Sequence, residues 1–123
     1  MAEGKVTSYT RRGEVYLVSF DPTIGAEIQK TRPALVIQND IGNRYSPLTI
    51  VAAITSHHDR LLYPHQVLIE APEGGLQVNS AILLNQIRSV DKQRLVRRLG
   101  VLKAGTLANA DRALQISLGL AVV

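Results

Sequence analysis

The chain contains no cysteine, so disulfides and thiolate metal sites are excluded and a reducing compartment suits it. None of its 123 residues fall in an unbroken apolar stretch of membrane-spanning length. Met1 to Arg12 is polar and lacks the apolar centre of a signal peptide, so the expected location is the cytoplasm, with no membrane partner. Internal repeats, low-complexity runs and linkers are missing as well. So are a phosphate-cradling Gly loop, a Walker motif, a zinc signature and a nucleophile elbow. The histidines, His57, His58 and His65, have no carboxylate or further histidine beside them at ligand spacing. No metal and no cofactor is expected. Acidic residues are also in short supply: ten Asp and Glu face fourteen Lys and Arg, for a formal charge of +4 and a pI near 9.8. That excess suits a polyanion such as nucleic acid, and it equally serves plain solubility.

Hydrophobic residues make up 46% of the chain, as expected of one compact domain. At this length roughly two-thirds of the unfolded surface is buried on folding. Periodicity then divides the chain, with the first two-thirds reading as strands and the last third as helix. Glu14–Phe20 is rich in β-branched and aromatic residues and stops at Asp21-Pro22. Pro33–Gln38 and Thr49–Ile54 are short apolar runs separated by Asn-Asp-Ile-Gly-Asn-Arg-Tyr-Ser-Pro, a stretch dense in turn formers, and so form a hairpin candidate. His65–Glu70 alternates apolar and polar residues, and Ala81–Leu84 is a further strand with Ile87–Val90 as its continuation. Asp91 then reads as the N-cap of a helix with Leu95 and Leu99 at helical spacing and Gly100 as its stop. Thr106 reads as a second N-cap, before an apolar stripe of Leu107, Ala110, Ala113, Leu114 and Ile116 that packs on the sheet. The expected fold is α+β: a small, partly open antiparallel barrel, SH3-like, with a C-terminal helix against the sheet.

The hairpin carries the first chemical inference. If Gln38 faces Thr49, then Val36 faces Val51, Ala34 faces Ala53 and Arg32 faces Thr55. Directly opposed side chains share a face with Cβ atoms about 4.5–5.5 Å apart, and a slip of one residue would separate them. Arg32 and Thr55 are the first polar groups to emerge at that end. A guanidinium beside a hydroxyl makes a phosphate clamp able to stabilise developing charge. An arginine closing a sheet edge near a carboxylate is the alternative. The loop Asp21–Thr31 is long for its role and contains Gly25, so it is either a lid or a surface loop. Glu27 and Gln29 within it can hydrogen-bond bases or sugars. His57 and His58 offer either acid–base catalysis or a solvated loop. Tyr45 and Tyr63, in loops, can stack on unpaired bases or cover the core. Lys92, Arg94, Arg97, Arg98 and Lys103 form a basic helical surface, solvated or docking an acidic peptide.

Several stretches, taken in order, resemble one family. Arg-Arg-Gly-Glu-Val-Tyr-Leu-Val (11–18) is similar to its opening strand, and residues 21–40, containing Thr-Arg-Pro, to its loop and second strand. Ile-Val-Ala-Ala-Ile-Thr (50–55) and the stretch 82–95, containing Gln-Ile-Arg, match two further signatures. The family is MazF/PemK, toxins of type II toxin–antitoxin pairs that cut single-stranded RNA at short sequences. The likeness runs from residue 11 to the end, leaving 1–10 as an N-terminal tail and 11–123 as one domain. It implies a sequence-specific, metal-independent endoribonuclease acting as a homodimer, with RNA in a groove between subunits and a small acidic antitoxin filling that groove. By resemblance Arg32 and Thr55 are the cleavage residues, and Glu27, Ser56 and Gln86 contact substrate. The match is poor from His57 to Tyr63, which leaves the cleavage sequence open. So is the proton acceptor, for which Glu27, a histidine and water are the candidates. Two rival functions stand beside this one: a gyrase-binding toxin of the same fold without nuclease activity, and a nucleic-acid binding module without catalysis.

Overall fold

The computed structural model describes residues 9–22, 24–27, 30–57 and 63–123. Its strands are β1 (Glu14–Ser19), β2 (Thr31–Val36), β3 (Leu48–Thr55), β4 (Gln66–Ile69), β5 (Ser80–Asp91) and β6 (Leu95–Val101). Two helices, α1 (Asp40–Tyr45) and α2 (Ala104–Ser117), and two single 3-10 turns (Glu73–Gly75 and Lys92–Arg94) complete it. The strands form one antiparallel sheet in the order β4-β5-β3-β2-β1-β6. The turn at Lys92–Arg94 carries the chain from the β3 side round to the free edge of β1. The sheet therefore curls without closing, and β4 and β6 remain its edges. Among the described residues no helix is long and apolar enough to cross a membrane.

Side chains alternate faces along a strand, and the apolar residues accordingly form two clusters. Val15, Leu35, Ala52 and Ile54 belong to the first, with Ile69, Ile82 and Leu84 from β4 and β5. Here α2 covers the sheet through Ala110 and Ala113, with Leu107 and Leu114 packed alongside. Val18, Phe20, Ala34, Val36, Val51, Ala53 and Val90 form the second cluster on the opposite face. Both faces of β2 and β3 are buried, which is why these strands read as unbroken apolar runs.

Three expectations fail. The turn-rich stretch between β2 and β3 contains a short helix, because Asn39 accepts from Gly42 N (2.8 Å) and caps α1; turn formers and capping residues are the same residue types. Tyr45 is thus the last residue of α1, not a loop residue. Asp91 does cap, accepting from Gln93 N (2.8 Å), but only one 3-10 turn follows. Leu95–Val101 is a strand, β6, since the exposed edge of β1 offers a ladder that outweighs the helical spacing of Leu95 and Leu99. Gly100 serves a close approach instead of a helix stop: a Cβ there would lie 2.6 Å from Gly74 C. The basic run is therefore not a helical surface; Lys92 and Arg94 lie in the turn and Arg97 and Arg98 on β6. Finally, α2 starts at Ala104 with Lys103 at the cap position, so Thr106 sits inside its first turn.

Candidate active site and its two cavities

β2 and β3 pair as Ala34↔Ala53, Leu35↔Ala52 and Val36↔Val51, the register obtained from the hairpin count. The recorded pairing ends at Ala34 and Ala53, and both strands run two to three residues further, to Thr31 and Thr55. Counting in twos from Val36 and Ala34 carries Arg32 to the face of the second cluster. The same count from Val51 and Ala53 carries Thr55 there. Arg32 is half-buried and sits opposite Val18 of β1. The Thr55 hydroxyl is 8% exposed as part of its residue; it accepts from His57 N (3.1 Å) and donates to His57 O (3.2 Å). That turn fixes the end of β3 and leaves Ser56 and His57 exposed.

Gln86 reaches the same face through an irregularity in β5. Ala53 pairs with Leu83, yet Ala52 pairs with Ile87. Leu84, Asn85 and Gln86 have no counterparts on β3, so this stretch bulges away from the ladder. Asn85 and Gln86 then line an open cavity of about 440 Å³ with Phe20, Glu27 and Arg88. Two arginines hold the loop above it. Arg88 Nη1 donates to Phe20 O (2.6 Å), and Arg94 Nη1 donates to Ser19 O (3.0 Å) and to Asp21 O. The loop is closed at its base by Phe20 N to Lys30 O (3.0 Å) and Lys30 N to Asp21 Oδ1 (2.9 Å). Glu27 Oε1 accepts from Ile24 N (2.7 Å), which orients its carboxylate.

A second open cavity, of about 400 Å³, lies on the other side of β2. Arg32 and Ser56 border it at the strand ends, together with Arg97 and Arg98. The predicted residues are thus divided. Glu27 and Gln86 share the first cavity, and Arg32 and Ser56 border the second. Thr55 lines neither, although its neighbours Ile54 and Ser56 line the second. Gln29 and His58 lie outside the described residues. His65 stacks flat on Tyr63 (centroids 5.7 Å apart). Among the described residues no group of three or more His, Asp or Glu stands together as metal ligands would. Arg88 and the amide Asn85 were not singled out from the sequence, although the Gln-Ile-Arg element contains Arg88, and Arg94 was read only as part of a basic helical surface.

Residues 11–118 match the model of the PemK-like, MazF-like toxin of type II toxin–antitoxin systems. The chain belongs to this family. It is 48% identical over 110 residues to the endoribonuclease EndoA of Bacillus subtilis (strain 168), covering 89% of this chain and 95% of that protein. A crystal structure of MazF from Deinococcus radiodurans is 28% identical and superposes with a TM-score of 0.78, covering 90% of this chain and 97% of that one. A MazE–MazF complex from the same organism is 26% identical, with a TM-score of 0.71 and coverages of 90% and 96%. The open six-stranded sheet with its C-terminal helix is therefore the MazF fold.

Proposed function

We propose that this toxin is a sequence-specific endoribonuclease that cuts single-stranded mRNA in the cytoplasm without a metal. Its relative from Bacillus subtilis bears the name endoribonuclease. The observation that supports it most is the β2–β3 register, by which Arg32 and Thr55 fall on one face at neighbouring strand ends. In this reading Arg32 binds the scissile phosphate, with its planar fork of donors matched to the non-bridging oxygens. It also offsets the charge those oxygens gain in the transition state. Thr55 orients the phosphate or the ribose 2′-hydroxyl. The 2′-hydroxyl gives up its proton and its oxygen attacks the adjacent phosphorus. The bond from phosphorus to the 5′-oxygen of the next nucleotide breaks, and that oxygen takes up a proton. The products are a 2′,3′-cyclic phosphate and a 5′-hydroxyl. The nucleophile is already part of the substrate, so proximity does what a metal-bound water does elsewhere. Glu27, Gln29, Ser56 and Gln86 contact the RNA. Two copies of the chain assemble into the working enzyme, and a small acidic antitoxin silences it.

Purified protein tests this with a long single-stranded RNA in the presence of EDTA. The parent should cut at a recurring short sequence, and Arg32→Ala should lower kcat by about 100-fold or more, the scale of a lost transition-state donor. Binding with the RNA left intact, or cutting that EDTA abolishes, would contradict the proposal.

A further inference from the structure

The end of the β2–β3 hairpin away from Arg32 and Thr55 carries a second basic surface, which the proposed chemistry does not use. It is built from two segments. Arg12 N donates to Asp40 Oδ1 (2.6 Å) and Arg12 Nε to Ile37 O (3.0 Å), which lays residues 9–12 against the start of α1. On α1 itself Ile41, Arg44 and Tyr45 are exposed, and their i, i+3, i+4 spacing puts them on one face. The Arg44 guanidinium lies 5.3 Å from the centre of the Tyr45 ring and 6.0 Å from that of Tyr9. The Arg11 guanidinium lies 4.6 Å from the centre of the same Tyr9 ring. Two cations thus stand about one aromatic ring, each within the ~6 Å reach of a cation–π contact. The carboxylates nearest in the chain are turned to other donors. Glu14 accepts from Arg11 N (2.7 Å) and Arg98 Nε (2.6 Å), and Asp40 accepts from Arg12 N and Asn43 Nδ2 (3.3 Å). Among the described residues no carboxylate pairs with the side chain of Arg11 or Arg44.

We propose that this surface is an exosite for single-stranded RNA, where a base stacks on Tyr45 beside Ile41 and the adjoining phosphates bind Arg44 and Arg11. The inference rests on single-stranded RNA being the substrate, and not on any role of Arg32 or Thr55. Tyr45 is 74% exposed, so its ring is open to a base, and stacking on an aromatic ring tolerates any base. Two guanidiniums that share a ring repel one another, and a phosphate between them replaces that repulsion with charge-assisted hydrogen bonds. A second copy of this chain suits the surface less well. Packed against itself, the patch would bring its arginines together and bury them without a counter-charge. The site also lies far from the cut. β2 rises about 13 Å from Arg32 to Val36, and α1 begins beyond that, at Asp40. Only an RNA that extends several nucleotides past the cut reaches both places. The exosite therefore raises affinity for long strands by holding them twice, and it leaves the chemical step unchanged.

The test compares the parent with Arg44→Lys, Tyr45→Ala and a double variant, Arg11→Ala with Arg44→Ala, all as the full chain. Binding is measured across a salt series on a long single-stranded RNA and on a short one holding only the cut sequence, each with a 2′-deoxy residue at the cut. Loss of two phosphate contacts on a single strand lowers the salt slope by about 1.4, which at 0.15 M salt corresponds to about 14-fold weaker binding relative to 1 M. The double variant should show both changes on the long RNA, and Arg44→Lys should keep the parent slope. Tyr45→Ala should weaken binding about fivefold or more at every salt concentration with no change of slope, because stacking releases no counterions. On the short RNA every variant should bind like the parent. With a long all-ribose RNA, KM should rise in the double variant while kcat stays the same. An unchanged slope in the double variant, or equal losses on long and short RNA, would overturn the proposal. So would a shift of that variant to a smaller assembly in sedimentation, because the patch would then be an interface between copies. A parent that binds the long RNA but cuts no all-ribose version of it contradicts the nuclease reading by itself, and the salt slope still decides the exosite.

Discussion

Asn43 offers the sharpest test of what holds the β2–β3 connection in place. Its side chain is fully buried in the last turn of α1. Asn43 Oδ1 accepts from Gln38 Nε2 (3.0 Å) and Thr49 Oγ1 (2.6 Å), and Nδ2 donates to Gln38 O (2.9 Å) and Asp40 Oδ1 (3.3 Å). The Asn43 carbonyl also receives Lys92 Nζ. Asn43→Ala leaves the Thr49 hydroxyl without its acceptor in a site that is 0% exposed, and it orphans Gln38 O. At about 1–3 kcal/mol for the stranded, fully buried hydroxyl and about 0.5–1.5 kcal/mol for the hydrogen bond lost at half-buried Gln38, the cost is ~1.5–4.5 kcal/mol, a large share of the ~5–15 kcal/mol that a domain has. Thr49→Val deletes one donor while Asn43 Oδ1 keeps Gln38, so it should cost only about 1 kcal/mol. Urea unfolding of both single variants and the double variant gives the coupling. With a slope of about 1.5 kcal/mol/M the midpoint of Asn43→Ala should fall by about 2 M. A shift below about 0.5 M, or additive effects in the double variant, would refute the view that this amide locks the hairpin.

Two glycines should respond in opposite directions. Gly75→Ala places a Cβ 2.0 Å from Leu99 O at φ +76° and should cost about 3 kcal/mol or more, whereas a Cβ on Gly105 meets nothing within 4 Å and Gly105→Ala should gain roughly 0.5–1 kcal/mol. Thermal melts of the two variants decide this. Arg94→Ala removes the donor shared by Ser19 O and Asp21 O. It should make the stretch between residues 21 and 30 several-fold more sensitive to limited proteolysis while leaving the melting temperature within a few degrees of the parent. Equal sensitivity would show that Arg88 and the Lys30 hydrogen bonds hold the loop without it.

Much of the sheet was legible in the sequence because alternation and turn residues report local geometry. Val36, Ala34, Val51 and Ala53 fixed the central register, and with it the face shared by Arg32 and Thr55. What escaped depends on contacts distant in sequence. Leu95 and Leu99 have helical spacing, and only the open edge of β1, some eighty residues earlier in the chain, makes their segment a strand. That change moves Arg97 and Arg98 from a supposed helix to the rim of a cavity. The bulge at Leu84–Gln86 is likewise invisible to periodicity, since β5 continues on both sides of it. Arg88 and Arg94 act on backbone carbonyls more than sixty residues away, and no spacing rule connects them to the loop they hold.

The measurement closest to the proposed chemistry uses two RNAs that differ by one oxygen atom, the 2′-hydroxyl at the mapped cut position, each incubated with the parent protein in EDTA. The all-ribose strand should be cut to a fragment ending in a 2′,3′-cyclic phosphate and one beginning with a 5′-hydroxyl, and the 2′-deoxy strand should stay whole. Cutting of the 2′-deoxy strand at that position would show that the nucleophile comes from outside the substrate and would contradict the account.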